Sequence, residues 1–598
     1  MKSNVSAIIR LWTSIYLDSV SQCCGLSSDS RDIDYVNTRV KKEGLSFLTI
    51  TLPEFCKDFE RALADSYIDP CMFRSFRKTQ SIPSFLKGMM SILFDDQSGR
   101  LYERRNDQCD HNDFSIIVNS IRQICLAFKK MEAICTPNRV NKQLKSYVQI
   151  EHEFQSFIPS SDENIKFLFV SRLLWPSIID GFHHYEATPR HGPGGTAESI
   201  FANQKYVWRT WTDRLEDYFP FLGSAISNSA YDGEVFRDLR YIPEDEEPPV
   251  KVVPVPKTMK GPRIIAAEPV AMQYAQQALK DMLYKGISSS RRIGGHVNFT
   301  DQSTNRALAL SSSHSGKFAT IDLSDASDRV PLSLVAFMFE SNPEFWGAIM
   351  SCRSHSAILP DGTVITELQK FASMGSALCF PIESMYFYTV CVAAILDNLN
   401  LSYSYANAYK AASLVYVYGD DLIVPSEHAQ SVLDYLQKYN CKVNKGKTFL
   451  TGKFRESCGM DAYDGEEVTP TYIRKLPPLN RQDASSIISW VATANLFYKR
   501  GFWQTCSTMF DIVERVIGFA LPYVADNSAG LGRFSYLGFR TVMRWNHDLQ
   551  RFEVKTLVAS PVYKRDELDD YPALQKFFVQ SPRKEDIDTK HLERSALH

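Results

Sequence analysis

Two aspartates stand side by side in Val415-Tyr416-Val417-Tyr418-Gly419-Asp420-Asp421-Leu422-Ile423-Val424. Apolar, β-rich runs flank the Gly-Asp-Asp centre. This pattern reads as a tight hairpin in which Gly419 supplies a backbone angle that other residues avoid. Two like charges at a buried tip are unfavourable without a counter-charge. Hard divalent cations with oxygen ligands, Mg²⁺ above all, are the natural counter-charge, with Mn²⁺ able to substitute. A third carboxylate lies upstream. Lys317-Phe318-Ala319-Thr320-Ile321-Asp322-Leu323 reads as a short strand ending in Asp322. Ser324-Asp325-Ala326-Ser327-Asp328 and Pro331 follow, as a loop entering a helix. With that strand beside the hairpin, Asp322 is expected to meet Asp420 across the sheet. Three carboxylates would then hold two metals roughly 3.5–4 Å apart, the spacing for in-line phosphoryl displacement. Adjacent aspartates after glycine also occur in plain surface turns. The apolar strands on both sides and the Asp322 strand favour chemistry.

The elements around these carboxylates have legible roles. Pro243 to Pro249 is an acidic, proline-bounded connector. The charge then reverses: Lys251, Lys257, Lys260 and Arg263 fall in an extended run of alternating Val, Ile and Pro. Lys257, Lys260 and Arg263 are expected to line one groove, suited to a triphosphate or an RNA backbone. Taken alone, the run is an ordinary solvated basic face. Glu268-Pro269 opens a helix of regular apolar period, for which Gly286 is the expected stop. Asn342-Pro343 caps another helix, and Asp361-Gly362 marks a hairpin. Ser373-Met374-Gly375 belongs to a small-residue loop before a long apolar helix. Small hydroxyl-bearing residues there suit contact with a sugar or template strand, or equally a tight helix crossing. Pro381 inside that helix predicts a kink. Met385 to Leu396 is too short an apolar run for a membrane span, so it is expected to be a buried helix. Asn444 to Phe449 is basic again, and Lys445 or Lys447 is placed to reach a leaving pyrophosphate.

The rest of the chain gives bounds rather than chemistry. Its 598 residues carry a net charge of −2 and 44% hydrophobic residues, an ordinary globular composition. That balance leaves a nucleic-acid role open, provided a binding channel is locally basic. Thirteen scattered cysteines without a CxxC pair point to reduced thiols in a cytoplasm-like compartment. Cys109-Asp110-His111 lacks zinc spacing. No signal peptide is visible at the start. Residues 1 to 240 read as mainly helical and free of catalytic motifs. Their His191-Gly192-Pro193-Gly194-Gly195-Thr196 loop is either a close approach to a nucleic-acid backbone or a plain surface loop. A separate helical region is expected from about residue 480, ending in a loose, charged tail of twenty residues.

The order of these features resembles that of right-hand RNA-dependent RNA polymerases. Several segments are similar, more closely, to the replicase catalytic beta subunit of the leviviruses, the positive-strand RNA phages. They are Asp322 to Asp328, Ser373-Met374-Gly375, Tyr418-Gly419-Asp420-Asp421, Phe454 to Gly459, Val468 to Arg474 and Asn298 to Ser303, so the likeness runs from about residue 250 to 475. The chain departs from the family's Asn-Gly after Ser-Met-Gly, carrying Ser376-Ala377 instead.

The resemblance implies an α+β, right-hand fold of fingers, palm and thumb, with an antiparallel palm sheet packed on helices. In that scheme residues 1–240 are a helical N-terminal region contributing to the fingers. Residues 241–316 are fingers with the basic motif, and 317–475 are the palm, with 348–370 as a finger insertion. Residues 476–598 are the helical thumb and tail. The resemblance also implies RNA-directed RNA synthesis from ribonucleoside triphosphates, with Asp322, Asp420 and Asp421 holding two Mg²⁺ ions. Lys257, Lys260, Arg263, Asp328, Ser373 and Gly375 are then the nucleotide-binding residues, with Asp328 and Ser373 sensing the ribose 2′-hydroxyl. Primer-independent initiation, a complex with host elongation factors Tu and Ts and a host ribosomal protein, and action in the cytoplasm of an infected bacterium are implied too. Two rivals stay open. A reverse transcriptase would normally carry a bulky aromatic after the first Asp strand, where this chain has small residues. A catalytically dead RNA-binding scaffold would have no use for three carboxylates.

Overall fold

A computed structural model describes residues 2–23, 26–102, 112–200, 202–225, 239–538, 543–560, 568, 572–574 and 576–577. Cys109-Asp110-His111 and the charged C-terminal twenty residues lie outside the described residues. The chain is a mixture of helices and small sheets built around two large apolar cores.

The first core surrounds the helix Cys379–Asn398, whose residues from Pro381 to Leu396 are all buried. A helix apolar on every side has to be enclosed. This one is long and apolar enough to cross a membrane, but 94% of its apolar stretch lies inside the protein. Pro381 sits in its first turn, where an amide has no partner within the helix, so the helix continues through it and the expected kink is unnecessary. The helix Val270–Ser289 packs into the same core and runs past Gly286. That glycine is a contact point rather than a stop: a Cβ there would stand 2.8 Å from the Ile178 side chain.

On this core lies an antiparallel three-stranded sheet in the order Tyr416–Tyr418, Asp421–Pro425, Phe318–Asp322. Its strands are short, and their inner residues Val417, Leu422, Ile423, Ala319 and Ile321 are buried. Val417 also pairs with the loop after Gly295 through His296 O and Asn298 N. A second sheet holds the basic hairpin, Val250–Thr258 with Gly261–Ala267. The segment Ala357–Ile358 adds to it in parallel, and Val364–Ile365 follows through the Asp361-Gly362 turn. Asn342 caps Pro343–Cys352 as expected, accepting from Phe345 N at 2.9 Å.

The second core joins residues far apart in sequence. Side chains between Ile8 and Met131 interlock with others between Phe449 and Leu521. The C-terminal helices Ala484–Lys499 and Trp503–Ile517 are therefore not separate in packing, because the N-terminal helix Lys2–Gln22 lies against the second of them.

Candidate active site

The hairpin tip sets the geometry of the carboxylates. Gly419 has φ +60°, and a Cβ on it would stand 2.5 Å from the Phe380 ring. Its amide donates to Ser384 Oγ at 3.2 Å, which ties the tip to the central helix. The register differs from expectation by one residue. Asp421, not Asp420, faces Asp322 across the sheet, and Asp420 occupies the turn beside them. The reason is strand length: the pairing continues one position beyond the glycine-led turn, so Asp421 is the first residue of its strand.

Each buried carboxylate has distinct partners. Asp322 Oδ2 accepts from Asn444 Nδ2 at 2.7 Å, and its Oδ1 lies 3.3 Å from Lys447 Nζ. Lys447 also reaches Glu456 Oε1 at 3.0 Å. Burial pushes the Asp322 carboxyl up to about 6, with Lys447 opposing the rise. Burial, then repulsion from Asp420 and Asp322, carries Asp421 to about 7. Burial works against the Lys447 ammonium, but Glu456 and Asp322 outweigh it and hold its pKa above the usual value. Glu383, at the foot of the tip, is raised well above the carboxylate range by burial and by the nearby Asp420 and Asp328.

Asp420 and Asp421 open onto a cavity of about 720 Å³. Lys257 and Arg263 line it from the basic hairpin, and the loop Asp325 to Asp328 lines it from the strand end. Partial desolvation, then Arg263 and Lys447, hold the Lys257 ammonium below its usual range. Lys260 does not share this groove. It is exposed and pairs with Glu54 Oε1 at 2.8 Å, because the hairpin's turn projects towards the helix Leu52–Asp65.

Asp328 is part of the cavity wall, and Ser373 stands against it. Ser373 Oγ donates to Asp328 Oδ1 at 2.8 Å. Gly375 has φ +140°, and a Cβ there would stand 1.9 Å from Ala266 O, so only glycine lets this loop lie against the basic hairpin. Ser376 is engaged elsewhere, donating to Gln276 Oε1 at 3.1 Å. Lys445 lines a different groove, on the far side of Asn444, and Lys447 sits beneath Asp322 rather than in the cavity wall.

Asn444, Glu456, Lys370 and the helix residues Tyr147 and Glu151 join this neighbourhood without a motif of their own in the sequence. Asn444 and Glu456 lay within segments already noted, and a buried charge opposite Lys447 was the available signal. The others carry no local pattern. The His191-to-Thr196 loop is held from within: the buried Lys205 ammonium donates to Gly192 O at 2.7 Å and also to Gly194 O. That places it against the helix Val270–Ser289, away from the carboxylates.

The donor set is all oxygen and its negative charge is only partly met, which suits a hard divalent cation. Among the described residues, no three His, Cys, Asp or Glu side chains converge closely enough as they stand to hold a metal ion. Lys447 fills one side of Asp322 in this arrangement.

A carboxylate centre on a hairpin tip, faced by a basic wall across a cavity, is an arrangement suited to phosphoryl transfer. The chain has relatives among known proteins. Residues 226–485 match the family model described as RNA replicase, beta-chain. The chain is 36% identical over 224 residues to the RNA-directed RNA polymerase subunit beta of Qbeta virus (strain MX1), covering 38% of this chain and 35% of that one. It is 37% identical over 224 residues to the RNA-directed RNA polymerase beta chain of Escherichia phage MS2, 38% of this chain and 37% of that one. The corresponding chain of Enterobacteria phage fr is 32% identical over 254 residues, 41% and 43% of the two chains. The chain thus matches little more than a third of the length of those first two relatives, and the residues matched by the family model include Asp322, Asp420 and Asp421.

Proposed function

We propose that this chain is an RNA-directed RNA polymerase that replicates a positive-strand RNA phage genome, starting without a primer. One observation carries the reading: Asp322 and Asp421 are register partners, with Asp420 beside them at a cavity walled by Lys257 and Arg263. The match to RNA replicase beta-chain over the same residues supports it. In this reading the sheet of Asp322 and Asp421 is the palm of a right-hand fold, and the basic hairpin belongs to the fingers. Helices of the N- and C-terminal regions complete the fingers and thumb.

Asp322, Asp420 and Asp421 would hold two Mg²⁺ ions, or Mn²⁺ in their place. Metal bound there would supply activation of an attacking 3′-hydroxyl and stabilisation of the leaving pyrophosphate. Lys257 and Arg263 neutralise the incoming triphosphate. Asp328 and Ser373 meet the ribose, and copying fidelity comes from base pairing. The small residues Ser324 to Ser327 after the Asp322 strand leave room for a 2′-hydroxyl and favour ribonucleotides over a reverse transcriptase's substrates. Host elongation factors Tu and Ts, a host ribosomal protein and the cytoplasm of an infected bacterium belong to the proposal through the family resemblance alone.

The test is labelled ribonucleotide incorporation on an RNA template with Mg²⁺, with host extract in parallel. Incorporation that is abolished in Asp420→Ala is the expected result. Preference for deoxyribonucleotides would replace this reading with a reverse transcriptase, and RNA binding without incorporation would leave a scaffold.

A further inference from the structure

The buried lysine beneath the ribose-facing pair carries an inference of its own. Lys370 is fully buried, and its ammonium has three neighbours. Asp328 Oδ1 lies 3.0 Å away, Glu151 Oε1 3.3 Å, and the Tyr147 ring centre 3.3 Å below it. Tyr147 and Glu151 stand one turn apart on the helix Pro137–Gln155, so they present one face to the site. Glu151 is itself fixed, its Oε2 accepting from Gln369 N at 2.9 Å. Tyr147 and Asp328 both line the cavity.

The hydrogen bonds give this cluster a direction. Ser373 Oγ donates its proton to Asp328 Oδ1, so at the 3.2 Å contact between Tyr147 OH and Ser373 Oγ the tyrosine is the donor. Both hydroxyl protons are then committed. Lys370 and Ser373 fall on the same carboxylate oxygen, leaving Oδ2 as the acceptor available to a ligand. Burying an ammonium is costly, and a merely apolar filler would pack this space without that cost.

We infer that Lys370 and Tyr147 are positioning residues that set the preference for a 2′-hydroxyl, by fixing Asp328 as an acceptor that only a ligand donor can satisfy. The inference rests on the polymerase reading and goes beyond it. A 2′-hydroxyl donates to that acceptor. A 2′-hydrogen or 2′-fluorine does not, and leaves that acceptor in the cavity wall without a donor from the ligand, which is how a site built around a hydroxyl rejects analogues lacking it.

Single-nucleotide incorporation with ribo-, 2′-deoxy- and 2′-fluoro-nucleoside triphosphates tests this. Wild type should discriminate against both analogues alike. Tyr147→Phe and Lys370→Met should raise KM for the ribonucleotide far more than for the analogues, lowering the ribo-to-deoxy ratio of kcat/KM about tenfold. An equal loss on all three sugars, or an unchanged ratio, overturns the inference. Tyr147→Phe keeps the ring over Lys370 and removes only the hydroxyl, so it decides the matter if Lys370→Met fails to fold. Asp420→Asn separates the two levels. If wild type incorporates ribonucleotides, Asp420→Asn does not, and the sugar ratio ignores Tyr147, this inference fails while the polymerase reading stands. If wild type incorporates nothing, both fail.

Discussion

At the scale of single residues, Lys447 stands among the carboxylates. Lys445 or Lys447 was expected to reach a leaving pyrophosphate, and the Lys447 ammonium lies between Asp322 and Glu456. Without it two partly buried carboxylates would face each other unpaired. We therefore expect Lys447→Met to lower stability by about 1–3 kcal/mol, less than for a fully buried pair because Lys447 keeps some solvent contact. Added Mg²⁺ should restore part of the loss, since a bound cation takes over the neutralisation of Asp322. Thermal unfolding with and without Mg²⁺ reads both effects. A variant no more responsive to Mg²⁺ than wild type would contradict the assignment of Asp322 as a metal ligand. Asp322, Asp420 and Asp421 were legible because strand patterns and a glycine turn are local signals. The exact facing pair was not, since one residue of extra pairing exchanges Asp420 for Asp421. Lys260 was misplaced for a different reason: its partner Glu54 lies on a helix that no local pattern connects to the basic hairpin.

At the scale of elements, the junction between the basic hairpin and the helix Val270–Ser289 holds a buried acid. Glu268 accepts from Ser354 Oγ at 2.6 Å, and burial raises its carboxyl to about 7. In the unfolded chain the same group ionises near 4.5, its ordinary value. The folded state therefore keeps a proton that the unfolded state has lost between those values. Its contribution is fully present below about pH 4.5 and disappears as pH rises through about 7. The loss is roughly 3 kcal/mol across that window. Glu268→Gln keeps the shape and removes the titration, so it should gain stability at pH 8 relative to wild type and flatten the slope between pH 5 and pH 7. Denaturant unfolding at several pH values measures this, and parallel slopes for the two proteins would refute it. Both elements are legible in the sequence, from Glu268-Pro269 and the alternating Val and Ile. The burial of Glu268 is not, because Ser354 and Arg353 arrive from a segment far along the chain. The stop assigned to Gly286 failed likewise, since a neighbouring helix uses the missing side chain for close contact with Ile178.

At the scale of the whole molecule, residues 1 to 240 showed no chemistry in sequence, and the structure gives their first half a mechanical task. Arg122 is buried and joins Glu60 to Asp461, while its Nε donates to Val468 O at 3.0 Å. Gln123 exchanges hydrogen bonds with the backbone of Thr471, and Ile473 N donates to Ala127 O at 2.7 Å. At the other end of the same core, Asp18 accepts from Thr505 N and Oγ, both at 2.8 Å. The N-terminal and C-terminal regions thus clasp each other beside the strand that carries Glu456 and the turn at Cys458, whose amide donates to Asp421 Oδ2 at 3.2 Å. Such contacts join residues hundreds of positions apart, and this is why no periodicity or spacing announced them. Removing Arg122 strands two buried carboxylates, a change worth about 3–5 kcal/mol. Arg122→Met should therefore lose about that much stability, and it should loosen both ends together rather than the N-terminal region alone. Hydrogen exchange reads the two ends separately. Amides of Ile8 to Val20 and of Ile487 to Ile517, which share this core, should lose protection in parallel. If the N-terminal amides exchange freely while those of the C-terminal helices stay protected, the two ends are independent units. The clasp would then be packing without a hold on the Asp421 strand. Parallel loss, with incorporation falling in step, would show that the N-terminal helices support the carboxylates from a distance.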